Sequence, residues 1–279
     1  MRQVKISGSI SGTIATGPYQ NLKPGFAWEE VIDDCSMTDE EIEERITMLY
    51  EKCGEQLRRA EQVAIVERIA RERADFRFKR SPATGKMLPS VTSVINFDTD
   101  FFVSPEDLQQ YASQGNITHA RVKEYIASGE WKDPKDINEV WADLVILKKG
   151  SLQLDPDSGD FPGFLKKHPI SEMVNGERGF NDEYEYTGEP DFTGTPGWEG
   201  IDAVPTVFDV KRTAVKVKNG MQLAAYSKLV GAKQGVIIPL NDKTKANFSK
   251  PVVYTEADLA GYWEMFCRKR EDFRKRYGA

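Results

Sequence analysis

Hydrophobic and polar positions change rhythm along the chain, from an irregular start, through helical spacing, to strand-like alternation after about residue 180. The first thirty or so residues, opening MRQVKISGSISGTIATG, mix β-formers with Gly and Ser and predict a short hairpin or an irregular arm. From Thr38 the spacing becomes helical. Thr38 and Glu41 make a capping-box signature, and Ile42, Ile46, Leu49, Cys53 and Leu57 follow the four-three alternation of a helix seam, predicting a helix to about Arg73. Such length leaves three arrangements open: a helix packed on its own domain, two helices bent near Gly54, or an arm whose seam pairs with a second copy or another protein.

Beyond this arm, SPATGK reads as a turn leading into LPSVTSVINF. Ser104 and Pro105 open a further helix expected to end near Gly115, and another is expected to start at Asn116 and stop at Gly129. In the latter, His119, Val122 and Ile126 fall on one stripe, which turns His119 inward. Residues 130–180, including LDPDSGD, read as connecting helix and loop. Strands are then predicted at EYEYTG, PDFTG and AVPTVFDVK, followed by a helix from about Gly220 to Val230 and a buried strand, QGVIIPL. The end of the chain is an amphipathic helix with Leu259, Trp263, Phe266, Phe273 and Tyr277 on its apolar side. This order predicts an α/β fold with a mixed sheet flanked by helices over residues 81–279, and a hairpin-and-helix extension over residues 1–80.

Composition narrows the class. With 279 residues, 39% of them hydrophobic and 29% charged, the chain can bury a sizeable core, which excludes a disordered or fibrous protein. No apolar run approaches the roughly 20 residues of a membrane helix, and the start lacks a signal-peptide core, so no membrane partner and a cytoplasmic protein are expected. Cys35, Cys53 and Cys267 show no CxxC spacing and read as reduced thiols, and two histidines leave little room for a His-rich metal site. The net charge of −6 argues against indiscriminate nucleic-acid binding, but KRTAVKVK and RKREDFRKR are locally basic.

The densest chemistry lies in YTGEPDFTGTPGWEGIDAVPTVFDVKRT, residues 186–213. Side chains at i and i+2 of a strand point the same way, so Asp209 and Lys211 share a face and Val210 turns to the other. Asp191 sits on the neighbouring predicted strand. Hydrolysing a phosphodiester requires neutralising phosphoryl charge and making hydroxide available near neutral pH, and Mg²⁺ or Mn²⁺ held by carboxylates does both. Asp191 and Asp209 could hold that metal with the main-chain carbonyl of Val210. Lys211 would then orient or help deprotonate the attacking water and stabilise the pentavalent charge. Glu183 and Glu185 alternate toward one face of EYEYTG and read as a further carboxylate or as solvated side chains.

Three segments in this order, GEPDF with Asp191, FDVKR with Asp209 and Lys211, and QLAAY with Gln222 and Tyr226, resemble the motifs of the PD-(D/E)XK nuclease superfamily. Within it they are similar to the RecB-like exonuclease branch, which includes CRISPR-associated nucleases, mitochondrial genome-maintenance exonucleases and many phage enzymes. The resemblance covers mainly residues 115–240. It implies a restriction-endonuclease-like sheet and a Mg²⁺- or Mn²⁺-dependent deoxyribonuclease, an exonuclease of recombination, repair or phage DNA processing. The host cytoplasm would be its location if phage-encoded. That branch usually carries a helical histidine ahead of the strands, and His119 fits as a tentative metal ligand or phosphate contact. Gln222 and Tyr226, one helical turn apart, would contact DNA or position Lys211, and Lys216 and Lys218 would meet DNA phosphates. A structure-specific endonuclease, or a catalytically silent DNA- or partner-binding module, remain alternatives. Some relatives hold an iron–sulfur cluster through one cysteine before the core and three after it. With two before and one after, this chain is expected to hold none.

Overall fold

A computed structural model describes residues 4–11, 14–17, 20–22, 25–32, 38–73, 76–99, 105–131, 161–211, 216–240 and 250–279. They form two compact units, residues 1–90 with 273–279, and residues 91–272.

In the first unit, strands β1 (Val4–Ser11) and β4 (Gly25–Ile32) pair antiparallel and enclose a smaller pair, β2 (Ile14–Gly17) and β3 (Gln20–Leu22), so the predicted arm is a nested hairpin. It packs along helix α1 (Asp39–Glu72). The capping box is present: Thr38 Oγ1 accepts from the Glu41 N–H at 3.2 Å, and the Glu41 carboxylate accepts from the Thr38 N–H at 2.7 Å. Two N–H groups that the first turn would leave unpaired are thereby satisfied. The helix runs unbroken through Gly54, and Leu49 and Cys53 of the predicted seam are buried with Ala64 and Ile69. Strands β5 (Phe78–Arg80) and β6 (Met87–Pro89) form a second hairpin. Its turn is held by the Ser81 hydroxyl, which accepts from the Ala83 and Thr84 N–H groups, and by Gly85, whose φ of 69° suits glycine.

The second unit is a mixed five-stranded sheet flanked by helices. Helices α2 (Val91–Asn96), α3 (Pro105–Ser128) and α4 (Phe161–Lys167) precede strand β7 (Ile170–Asn175). A small hairpin of β8 (Gly179–Asn181) and β9 (Tyr186–Gly188) leads to β10 (Phe192–Pro196) and β11 (Thr206–Lys211). Helix α5 (Lys216–Val230), β12 (Gln234–Pro239), β13 (Val252–Tyr254) and α6 (Glu256–Tyr277) complete the chain, with the last turn of α6, from Phe273, in the first unit. The sheet order is β13-β12-β11-β10-β7. Among the described strands only β11 and β12 pair in parallel, and a parallel pair needs a crossover, which α5 supplies.

Strand β11 is buried from Thr206 to Val210, as a central strand covered on both faces should be. Phe208 and Val210 join Val122, Phe161, Phe164 and Phe192 in one core cluster. Phe192 lies opposite Phe208 in the antiparallel register, and the rings stack with centroids 4.7 Å apart. Asp209, in the middle of this apolar strand, is the anomaly.

Several expectations need correction. Residues 105–128 form one helix, so Gly115 and Asn116 lie inside it and Asn116 is no cap. Burial of Thr118, Arg121 and Val122 on the following turns holds it helical at a cost of about 1 kcal/mol for the glycine. Gly129, with φ of 74° and its N–H donating to the Tyr125 carbonyl, ends it as expected. Strand β7 lies in a segment read as connecting structure, and β13 was not anticipated. Helix α5 begins at Lys216, four residues earlier than expected. Glu183 and Glu185 fall in the β8–β9 turn and not on a strand face, and the Glu185 carbonyl accepts from Arg270 Nε. LDPDSGD and Cys35 lie outside the described residues. No helix among the described residues is long and apolar enough to cross a membrane.

Candidate active site

Extending the β10–β11 register by one step beyond Phe192 and Phe208 sets Asp191 opposite Asp209, and both carboxylates are buried. Opposed residues of an antiparallel pair point to the same side, so the chain geometry brings two acids together where an apolar pair would pack. Four other groups compensate them. His119 of α3 meets Asp191 with Nδ1 2.7 Å from Oδ1, and the Val210 N–H donates to Asp191 Oδ2 at 2.6 Å. Lys211 Nζ lies 2.7 Å from Asp209 Oδ2, and Gln222 Nε2 of α5 donates to Asp209 Oδ1 at 3.2 Å. The same amide nitrogen donates to the Tyr226 hydroxyl at 3.1 Å, one turn along α5.

Local sequence explains each placement. The i, i+2 spacing on β11 puts Lys211 on the side of Asp209, and the i, i+4 spacing on α5 aligns Gln222 with Tyr226. Glycine makes room behind them: a Cβ on Gly188 would stand 2.6 Å from the Tyr226 ring. Asp191 is fixed from the other side. The Gly176 N–H donates to the Asp191 carbonyl, and a Cβ on Gly176 would fall 1.9 Å from the Pro190 carbonyl oxygen, so only glycine fits.

The two acids differ electrostatically. Burial works against the charged form of Asp191, but His119, Lys211 and the Val210 N–H outweigh it and hold the carboxyl below the usual range. Burial pushes Asp209 up, Lys211 opposes this, and the negative charge of Asp191 adds to the rise. Burial would lower Lys211 and His119, yet the facing carboxylates raise both. Lys211 is therefore an ammonium at neutral pH, though its side chain is only 24% exposed.

Among the described residues no three His, Cys, Asp or Glu side chains come together as a metal-holding group. Two carboxylates nevertheless suit Mg²⁺, which keeps several waters and takes one or two protein carboxylates beside substrate phosphate. Each carboxylate has about four acceptor positions, and two are engaged on each, so capacity remains. The residues present fit a divalent cation: added positive charge would relieve the repulsion that pushes Asp209 toward its neutral form.

The structure thus brings together His119, Asp191, Asp209, Lys211, Gln222 and Tyr226, while Val210 enters through its main-chain N–H. Lys216 and Lys218 are placed differently. Lys216 opens α5 and is exposed, its carbonyl accepting from the Tyr254 hydroxyl. Lys218 donates to Asn96 Oδ1 at 2.9 Å and Thr99 Oγ1 at 3.0 Å, anchoring the end of α2. Sequence reasoning overlooked a neighbouring group, in which Lys123 and Arg178 both engage Glu189. Its signal was present: Lys123 is one turn beyond His119, and Glu189 is two residues before Asp191.

The sequence matches no protein-family profile and no curated protein. Among solved structures, one described as the crystal structure of SSO0001 is similar over 64% of this chain and 83% of that chain, at 16% identity and a TM-score of 0.23.

Proposed function

We propose that the chain is a divalent-metal-dependent deoxyribonuclease of the PD-(D/E)XK type, with the restriction-endonuclease-like fold and the exonuclease activity of the RecB-like branch. The observation that carries this reading is the buried, opposed pair Asp191 and Asp209 with a half-buried ammonium, Lys211, on the second of them. Two charges of one sign inside a core are costly, and a protein that needed only stability would fill the place with apolar side chains. A Mg²⁺ or Mn²⁺ on Asp191, Asp209 and the Val210 carbonyl would neutralise phosphoryl charge and supply hydroxide near neutral pH.

The chain's own groups do the rest. Lys211, kept charged by Asp209 and Asp191, offers N–H donors to charge developing on the phosphoryl oxygens and orients the attacking water. Gln222 fixes the rotamer of Asp209, and Tyr226 fixes Gln222. His119 holds Asp191 through Nδ1, which leaves Nε2 for a metal or a phosphate oxygen. Among the described residues of the site no base-reading element is recognised, so the reading takes specificity from ends or strand shape, with phosphate contacts supplying affinity. Recombination, repair or phage DNA processing are the settings in which such an activity is used.

The test is cleavage of end-labelled linear DNA and covalently closed circles, single-stranded and duplex, with Mg²⁺, Mn²⁺ or EDTA. Degradation of linear DNA with either metal, its loss in EDTA and survival of circles are expected. Circles cut at a comparable rate would instead make the protein an endonuclease with the same residues. No cleavage of any substrate would leave a DNA- or partner-binding module.

A further inference from the structure

Beside the acidic pair lies a second charged group of different composition. Glu189 receives two cations, one on each oxygen: Lys123 Nζ on Oε1 and Arg178 Nη2, at 2.8 Å, on Oε2. These side chains are each about one-third exposed, so the group opens to solvent and carries one net positive charge. It is also firmly built. Asn175 Nδ2 donates to the Lys123 carbonyl at 3.0 Å, and the Gly176 turn that precedes Arg178 sits against Pro190. Lys123 stands one helical turn from His119. Arg178 reaches the same Glu189 carboxylate from the link between β7 and β8. The two cations therefore meet on one carboxylate, two residues before Asp191 in the chain.

Glu189 engages one N–H of Lys123 and one guanidinium nitrogen of Arg178, while an ammonium has three donors and a guanidinium five. Among the described residues Glu189 is the side chain they share, and it takes up one donor atom of each partly exposed cation. We infer that Lys123 and Arg178 form a phosphate subsite next to the scissile position, which seats a neighbouring nucleic-acid phosphate, and that Glu189 is a positioning residue that pre-orders both cations. This rests on the nuclease reading and adds to it how the strand is held in register. The phosphate is either an internal one of the backbone or a terminal monoester at the end being digested.

The cations and their carboxylate make opposite predictions. In Lys123→Gln and Arg178→Gln, anisotropy with labelled DNA in EDTA should show about a one-unit shallower dependence of log K on log salt per lost contact. Glu189→Gln removes a negative charge, so binding should hold or tighten while kcat falls. Lys123→Arg and Arg178→Lys should restore most of the salt dependence. Comparing 5′-phosphate and 5′-hydroxyl ends separates the sources: a loss confined to phosphorylated ends identifies the terminal monoester, and an equal loss on both identifies an internal phosphate. If all three glutamine variants lose Tm and kcat alike with an unchanged salt slope, the group is only a structural staple and the inference fails, while cleavage by the wild type leaves the nuclease reading standing. A wild type that neither binds nor cuts DNA overturns both.

Discussion

Asp209 is held closer to its neutral form than Asp191 because it is buried beside a neighbour of the same sign, and this fixes what its removal should do. Asp209→Asn relieves the repulsion but keeps one oxygen where Lys211 and Gln222 each face their own, so an amide NH2 meets one of the two donors and the metal-free variant should melt below wild type. Cleavage should fall by about 10²-fold or more, roughly 2.7 kcal/mol of transition-state stabilisation. Lys211→Ala leaves Asp209 without its cation and should cost both activity and stability, the latter by about 3 kcal/mol. Cleavage by either variant within about tenfold of wild type, some 1.4 kcal/mol, would remove these residues from the chemistry. The pH dependence of the metal-free protein follows from the other acid. His119 is raised above its ordinary 6.5, so its contribution is fully present below that pH and lost as pH rises through the folded value. Asp191 is depressed below its ordinary 3.8, so its contribution is present above that pH and lost as pH falls through the folded value. The pair therefore stabilises most between these limits. The Tm difference between wild type and His119→Asn should shrink as pH is raised from about 6 to about 9. A constant difference would mean the imidazole acts by packing alone.

At the scale of elements, glycines decide how tightly the hairpins close on the site. Gly188→Ala would drive a methyl into the Tyr226 ring at 2.6 Å, displacing Tyr226 and with it Gln222 and Asp209. A loss of about 1–3 kcal/mol in stability with reduced cleavage is expected, although Gly188 itself supplies no side chain to the proposed catalytic site. Unchanged cleavage would show that the tyrosine does not fix the carboxylate. In the first unit, Thr38→Ala should cost about 1 kcal/mol in urea unfolding through loss of the capping box. What was legible in the sequence were elements whose local signal agrees with their tertiary setting: the capped α1, the end of α3 at Gly129, the D-x-K strand β11, β12 and α6. Strand β7 escaped because ISEMVN lies at a sheet edge. A register shift and the positive φ of Glu172 interrupt its alternation. The break expected at Gly115–Asn116 followed local propensity, which packing on the next turns overrides. The Glu189 cluster was legible only as spacing beside His119 and Asp191, because its cations come from separate elements and contact between them is a property of the fold.

For the molecule as a whole, a net charge of −6 has to be reconciled with the polyanionic substrate proposed above. Attraction must then be local, and binding should fall with salt with a slope near −0.9 per phosphate contacted on duplex DNA. Binding insensitive to salt would count against a phosphate-led interface. Lys218 is committed to Asn96 and Thr99, so its replacement by Gln should lower Tm more than it changes that slope. The centre is also drawn from unequal lengths of chain. The bond from Val210 to Asp191 closes over 19 residues and that from Gln222 to Asp209 over 13, whereas His119 reaches Asp191 from 72 positions upstream. Closing a short loop costs less chain entropy, so the acids, Lys211 and Gln222 belong to one locally assembled kernel. This spacing predicts the histidine to arrive last. In native-state hydrogen exchange the α3 amides around His119 should open at lower free energy than those of β11, which would make the histidine clamp the first part of the centre to come apart and the last to form.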